Sequence, residues 1–170
     1  TGRKDGGSFD SGIETALRAI LVSPSFLFRV ERSPRGSAPG TVHRVTDLEL
    51  ASRLSFFVWS SIPDEELLRL AEQGKLRPVL NQQVSRMLAD PKSEAFVKNF
   101  TGQWLKLRQI GETVPDSRLY PKFDELLQES LIWESEGYFR EMLRADIAID
   151  DLLDSDWALL NERLAVHYGI

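Results

Sequence analysis

Cysteine is absent from the 170 residues. That excludes disulfides, thiolate metal sites, covalently attached haem and cysteine nucleophiles within this segment. Histidine is scarce, with His43 and His167 the only two. A di-iron centre in a helical bundle needs Glu-x-x-His from two inward faces, and the chain contains no Glu-x-x-His at all. His-Glu-x-x-His zinc chemistry is missing as well. No apolar run approaches the ~20 residues of a membrane span, and no signal peptide opens the chain. Neither a Gly-x-Ser-x-Gly hydrolase elbow nor a phosphate-binding loop is present. The 21 basic side chains are outnumbered by 26 acidic ones, for a net charge of -5. No basic stripe stands out, so a nucleic-acid partner is disfavoured.

What is present describes a globular chain. Apolar residues make up 42% and charged residues 28%, and a chain of this length buries roughly 70% of the surface it exposes unfolded. Ile13, Ala16, Leu17, Ile20 and Leu21 recur at helical spacing up to Ser23-Pro24, and Pro24 opens a second short helix expected to reach Glu31. The Thr46-Asp47-Leu48-Glu49 run reads as a capping box. Behind it Leu50, Ala51, Leu54, Phe57 and Val58 share a face, with Phe56 and Trp59 outside it. Further helices are expected from Pro63 to Gly74, around Leu80–Leu88 up to Asp90-Pro91, around Phe96–Leu107, from about Lys122 to Arg144, and from Asp156 to Tyr168. Residues 111–121 read as a loop. No alternating strand pattern and no tandem repeat is found. The expectation is an all-α, irregular multi-helix bundle of about seven to nine helices. Its predicted organisation is a flexible lead at 1–8, the C-terminal helices of a preceding domain at 9–31, a linker at 32–45 and a helical domain at 46–170. The chain opens on Thr1 and stops at Ile170, and is read as a piece excised from a longer protein.

One acid is conspicuous. Phe123, Leu127, Leu131, Tyr138 and Met142 share a face of the long helix, and Glu134 falls inside it. A carboxylate there must be paired, hydrogen-bonded or protonated, because an isolated buried charge is very costly. Arg53, Arg163 and Arg18 are the expected guanidinium partners, and a bond from a Trp or Tyr is the other structural solution. Glu134, Arg53 and Arg163 are therefore the catalytic candidates, if any acid chemistry is done here. Asp146, Asp150, Asp151, Asp154 and Asp156 crowd a short stretch. Asp150, Asp154 and Asp156 are the candidate calcium ligands, although no glycine sits where an EF-hand loop bends. Helix capping by Asp150 and Asp156 explains the run more simply. His43 is expected to be exposed and His167 to lie in the core. The tryptophans are expected to be mostly core; a glycan-binding surface would need at least two Trp rings on one solvent-facing cleft.

The segment Leu50-Ala51-Ser52-Arg53-Leu54-Ser55-Phe56-Phe57-Val58-Trp59-Ser60-Ser61-Ile62-Pro63-Asp64 resembles the opening of the planctomycete domain of unknown function 1592. Gly102-Gln103-Trp104-Leu105 and Leu160-Asn161-Glu162-Arg163-Leu164-Ala165-Val166-His167-Tyr168-Gly169-Ile170 resemble later parts of it, with Trp157 where Tyr or Phe is expected. Upstream, Ala16-Leu17-Arg18-Ala19-Ile20-Leu21-Val22-Ser23-Pro24-Ser25-Phe26-Leu27-Phe28-Arg29 is similar to the tail of domain of unknown function 1595. The resemblance implies a place in large, exported (periplasmic or cell-surface) planctomycete proteins that also carry a cytochrome-c-like haem domain. It carries over no catalytic residue. The expected function is accordingly a non-catalytic scaffold or interaction module, whose partners are neighbouring domains of the same polypeptide. No cofactor is expected in this segment, and haem is expected elsewhere in the parent protein. The alternative is a component of an oxidoreductase or carbohydrate-processing enzyme with a buried Glu-Arg site.

Overall fold

The computed structural model describes residues 8–28, 34, 36–38 and 40–170. Among them are eight α-helices, four short 3₁₀ turns and no strand, so the fold is all-α. The chain forms two compact units, residues 1–45 and 46–170. In the first, α1 (Phe9–Leu21) starts where the Ser8 hydroxyl accepts a hydrogen bond from the Ser11 N–H. The second helix, α2 (Pro24–Leu27), is a single turn with Pro at its first position. It stops short of the expected end because Phe28 is extended; residues 29–31 lie outside the described residues, as do residues 1–7 of the expected lead.

The second unit opens on the capping box read from the sequence. Thr46 Oγ1 accepts from the Glu49 N–H at 3.2 Å, and Glu49 Oε2 accepts from the Thr46 N–H at 2.7 Å. These bonds satisfy amides that the first turn of α3 (Asp47–Trp59) would leave orphaned. The buried side of α3 is Ala51, Ser55, Val58 and Trp59, while Phe56 and Phe57 are exposed. The expected face is thus rotated, with Trp59 inside and Phe57 outside. Ser55 keeps the helix thin at this face, and its buried hydroxyl has no hydrogen-bond partner among the described residues.

Asp64, one residue later than the expected start, caps α4 (Glu65–Glu72) by accepting from the Leu67 N–H at 3.0 Å. Gly74, at φ +64°, makes the left-handed turn just beyond that helix, where glycine carries no Cβ penalty. Helices α5 (Leu80–Ala89) and α6 (Glu94–Trp104) are separated by Asp90-Pro91. Leu107 falls in a 3₁₀ turn after α6, not in the helix itself. The long helix α7 (Glu125–Ala145) begins after the Asp124 cap, so Lys122 and Phe123 lie before it. The last helix, α8 (Glu162–Tyr168), is half the expected length. Its cap is Asn161, whose Oδ1 accepts from the Leu164 N–H at 2.9 Å. Asp150 sits inside a 3₁₀ turn and Asp156 at a bend, so neither acid caps a helix.

Trp59, Leu67, Leu70, Leu76 and Met87 join α3, α4 and α5 in the main core; burying side chains of this size stabilises by about 1.5–3 kcal/mol each. The Trp59 indole N–H donates to the Met87 carbonyl at 3.0 Å. Over its ring stand the Arg86 guanidinium at 5.5 Å and the Lys92 ammonium at 4.6 Å. Arg86 in turn grips Asp64 with two bonds of 2.7 and 3.2 Å. Burial opposes ionisation of Asp64. The bonds from Arg86 and the Leu67 N–H, with the charges of Arg86 and Lys92, outweigh it and hold the carboxyl below its ordinary range. A second two-bond grip, Arg140 on Glu94 at 2.8 and 2.6 Å, ties α7 to α6. That hydrogen bonding lowers the Glu94 carboxyl against the cost of burial.

Two outcomes are expected. Trp59→Phe keeps most of the volume but removes the indole bond to the Met87 carbonyl, which is left with the Asp90 N–H at 3.3 Å, and should cost about 1–2 kcal/mol in urea denaturation; no change would show that the indole bond is idle. Asp64 and Glu94 bind fewer protons folded than unfolded, where their ordinary values are 3.8 and 4.5. Their contribution is therefore present above that range and lost as pH falls through it. Thermal midpoints should drop more steeply below about pH 4.5 in the native chain than in the Asp64→Asn, Glu94→Gln double variant.

Candidate functional site

The face of α7 that meets α8 is built from small residues. Ser130 and Gly137 are buried. Asn161 Nδ2 donates to Ser130 Oγ at 2.9 Å, and Leu159 packs so closely on Gly137 that a Cβ there would lie 2.3 Å from its methyl carbon. Seven residues after Leu127 and on its side of the helix, Glu134 is half-buried between these contacts. Its Oε2 accepts a 2.8 Å hydrogen bond from the Tyr168 hydroxyl at the end of α8. Burial, then the bond to Glu134, push the Tyr168 hydroxyl above its ordinary range.

The expected arginines are elsewhere. Arg163 bonds Asp124 and the Lys122 carbonyl, at 3.2 and 2.5 Å from its Nη2. Arg53 is exposed on α3, and Arg18 pairs with Glu14 along α1. Glu134 and Arg163 are each bonded to other partners, Tyr168 and Asp124. The solution adopted at Glu134 is the tyrosine bond, not the guanidinium.

Glu134 also borders a cleft of about 390 Å³. Trp104 from α6, Tyr138 from α7 and Trp157 from the chain before α8 line it together with Ser135 and Asp151. Tyr138 and Trp157 stack at 4.2 Å with 18° between their planes. The Tyr138 hydroxyl donates to the Asp151 carbonyl at 2.6 Å, which anchors the acidic turn onto the long helix. Two Trp rings, Trp104 being 52% exposed, therefore share one cleft with two carboxyl side chains. Sequence spacing could not find this set, because Trp157 and Asp151 reach it through non-helical chain. His43 is exposed; His167, expected in the core, is exposed too and lies against Tyr168 with ring centres 5.4 Å apart.

Asp150, Asp154 and Asp156 are all exposed. Among the described residues no group of three or more His, Asp or Glu side chains is placed to hold a metal ion. No described helix is long and apolar enough to cross a membrane.

An all-helical domain with an aromatic cleft is the class these observations define. Residues 45–170 match PSD4, protein of unknown function (DUF1592), and the chain belongs to that family. Residues 1–31 match PSD5, protein of unknown function (DUF1595). No curated protein and no solved structure matches the chain.

If the tyrosine bond is all that Glu134 needs, Glu134→Gln should change unfolding free energy by less than about 0.5 kcal/mol, because an amide oxygen accepts the same hydrogen bond. A loss of about 3–5 kcal/mol, the cost of breaking a buried ion pair, would contradict this geometry.

Proposed function

We propose that the chain is a non-catalytic helical interaction module of a larger protein, with the apolar side of α1 and α2 covered by the rest of the DUF1595-type domain. One observation carries the reading: α1 is amphipathic, yet none of its residues is buried. Ile13, Leu17, Ile20 and Leu21 are 45–55% exposed. In α2, Phe26 and Leu27 are comparably bare. Apolar side chains on one helical face are stable in water only at a cost that a covering surface removes. The occupant follows from the family match at residues 1–31, which assigns α1 and α2 to a different family from the rest of the chain. Association with a cytochrome-c-like haem domain, planctomycete origin and an exported location belong to the same proposal and rest on the resemblance. The absence of cysteine in this segment is consistent with any covalent haem being carried by another domain.

A second reading, a carbohydrate-processing component, is supported by Trp104, Trp157, Glu134 and Asp151 lining one cleft. It requires oligosaccharide binding there, with Glu134 bonded to Tyr168 and Arg163 to Asp124.

Hydrogen exchange decides the first reading. In the parent protein, amides of Phe9–Leu27 should exchange at least about tenfold more slowly than in the 170-residue chain, and Leu17→Asp should erase the difference. Equal exchange in both would sink the docking of α1 and α2.

A further inference from the structure

Three hollows on the second unit run into one another. The middle one, about 540 Å³, has Phe100, Phe139 and Met142 for a floor and Ile149 and Leu153 for a wall. It shares Phe96, Phe100 and Trp104 with a hollow of about 530 Å³ that reaches Phe56 and Phe57 on α3. At the other end it shares Trp104, Leu152 and Leu153 with the Glu134 cleft. The floor is a row of rings in contact: Phe57 to Phe96 at 5.0 Å, Phe96 to Phe100 at 5.3 Å and Phe100 to Trp104 at 5.6 Å. Phe96, Phe100 and Trp104 repeat every four residues, so they run along α6 for about 12 Å. The rim is bare, with Leu153 92% and Ile149 76% exposed.

These three hollows are lined by acids alone; a fourth that shares Leu88, Leu143 and Asp146 with the middle one adds Arg140 and Arg144, each already held by a glutamate. Asp146 and Asp150 border the middle hollow and Glu134 and Asp151 the cleft, and no described lysine or arginine lines any of the three. Asp146 is doubly disfavoured where it stands. It adopts the left-handed conformation, φ +50°, that favours glycine, and it places a carboxylate at the negative end of α7. Neither Asp146 nor Asp150 has an ion pair among the described residues, unlike Asp64 with Arg86 and Glu94 with Arg140, and a cation supplied by an occupant gives both one.

We propose that the trough binds a basic amphipathic helix of a partner protein, its apolar face on the aromatic row and its Lys or Arg heads against Asp146, Asp150 and the cleft acids. An open, continuous trough suits a rod with i, i+3, i+4, i+7 anchors better than an enclosed small molecule. A second copy of this chain fits poorly, since each carries a net charge of -5 and one acidic rim would face another. The proposal uses residues of the second unit only, so it does not depend on the docking assigned to α1 and α2.

The test titrates the full chain into a fluorescein-labelled peptide of two Leu-Lys-Lys-Leu-Leu-Lys-Leu heptads and reads anisotropy. Saturable binding is expected, weakened at least about tenfold when glutamates replace the lysines, and equally by Leu153→Asp or Ile149→Asp, both at exposed sites that folding tolerates. Asp146→Asn with Asp150→Asn should weaken binding and flatten its salt dependence. Val114→Asp, at a position 87% exposed outside the trough, and Leu17→Asp on α1 should leave binding unchanged. The proposal is overturned if the peptide fails to bind, if the glutamate peptide binds as well, or if Leu153→Asp has no effect. It is equally overturned if Leu17→Asp alone abolishes binding, if cellohexaose displaces the peptide, or if Leu153→Asp dissolves a dimer of the chain.

Discussion

The second unit is organised around one indole. Trp59 ends α3, donates into the backbone of α5 through Met87, and carries Arg86 and Lys92 over its ring. Arg86 is held in turn by Asp64, the acid that caps α4. Three helices and the turn after α5 are thereby fixed by contacts to a side chain only 4% exposed. Each bond is modest in isolation, because folding exchanges water for protein partners. Their meeting at one ring couples the set: moving Trp59 removes a bond to the Met87 carbonyl and the surface on which both cations rest.

The same logic explains why several ionic groups here serve architecture. Glu94 is spent on Arg140, Asp124 on Arg163 and the cap of α7, and Glu134 on Tyr168. Charges used this way hold helices in register. Asp146 and Asp150 border apolar rings with no ion pair among the described residues, and Asp146 stands in the left-handed conformation that a glycine adopts more readily. The surface of the second unit thus separates into a part closed by its own partners and a trough that is apolar below and acidic above.

Local rules were readable in the sequence, and long-range ones were not. The Thr46–Glu49 box, the stop at Gly74 and the break at Asp90-Pro91 each depend on residues within one turn, and each stands where the spacing put it. Phe57 and Trp59 illustrate the opposite case. Both fit a helical apolar pattern, and only the arrival of Met87 and Leu67 decides which ring is inside. Glu134 was legible as an acid needing a partner, but Tyr168 lies thirty-four residues away and is brought close by α8. The final helix was read too long because apolar residues at 157–160 mimic helical spacing. In the structure Leu159 is instead pressed against Gly137, and Asn161 starts the helix anew. The cleft set of Trp104, Asp151 and Trp157 comes from three separate segments, so no spacing rule could assemble it.

Exchange of the Trp59 indole proton, followed by NMR in deuterated buffer, tests the central role of that ring most directly. The proton should exchange only when the whole second unit unfolds, with an opening free energy equal to that from urea denaturation. Exchange through a smaller, local opening, while the amides of α3 and α5 stay protected, would show that the helices hold together without it.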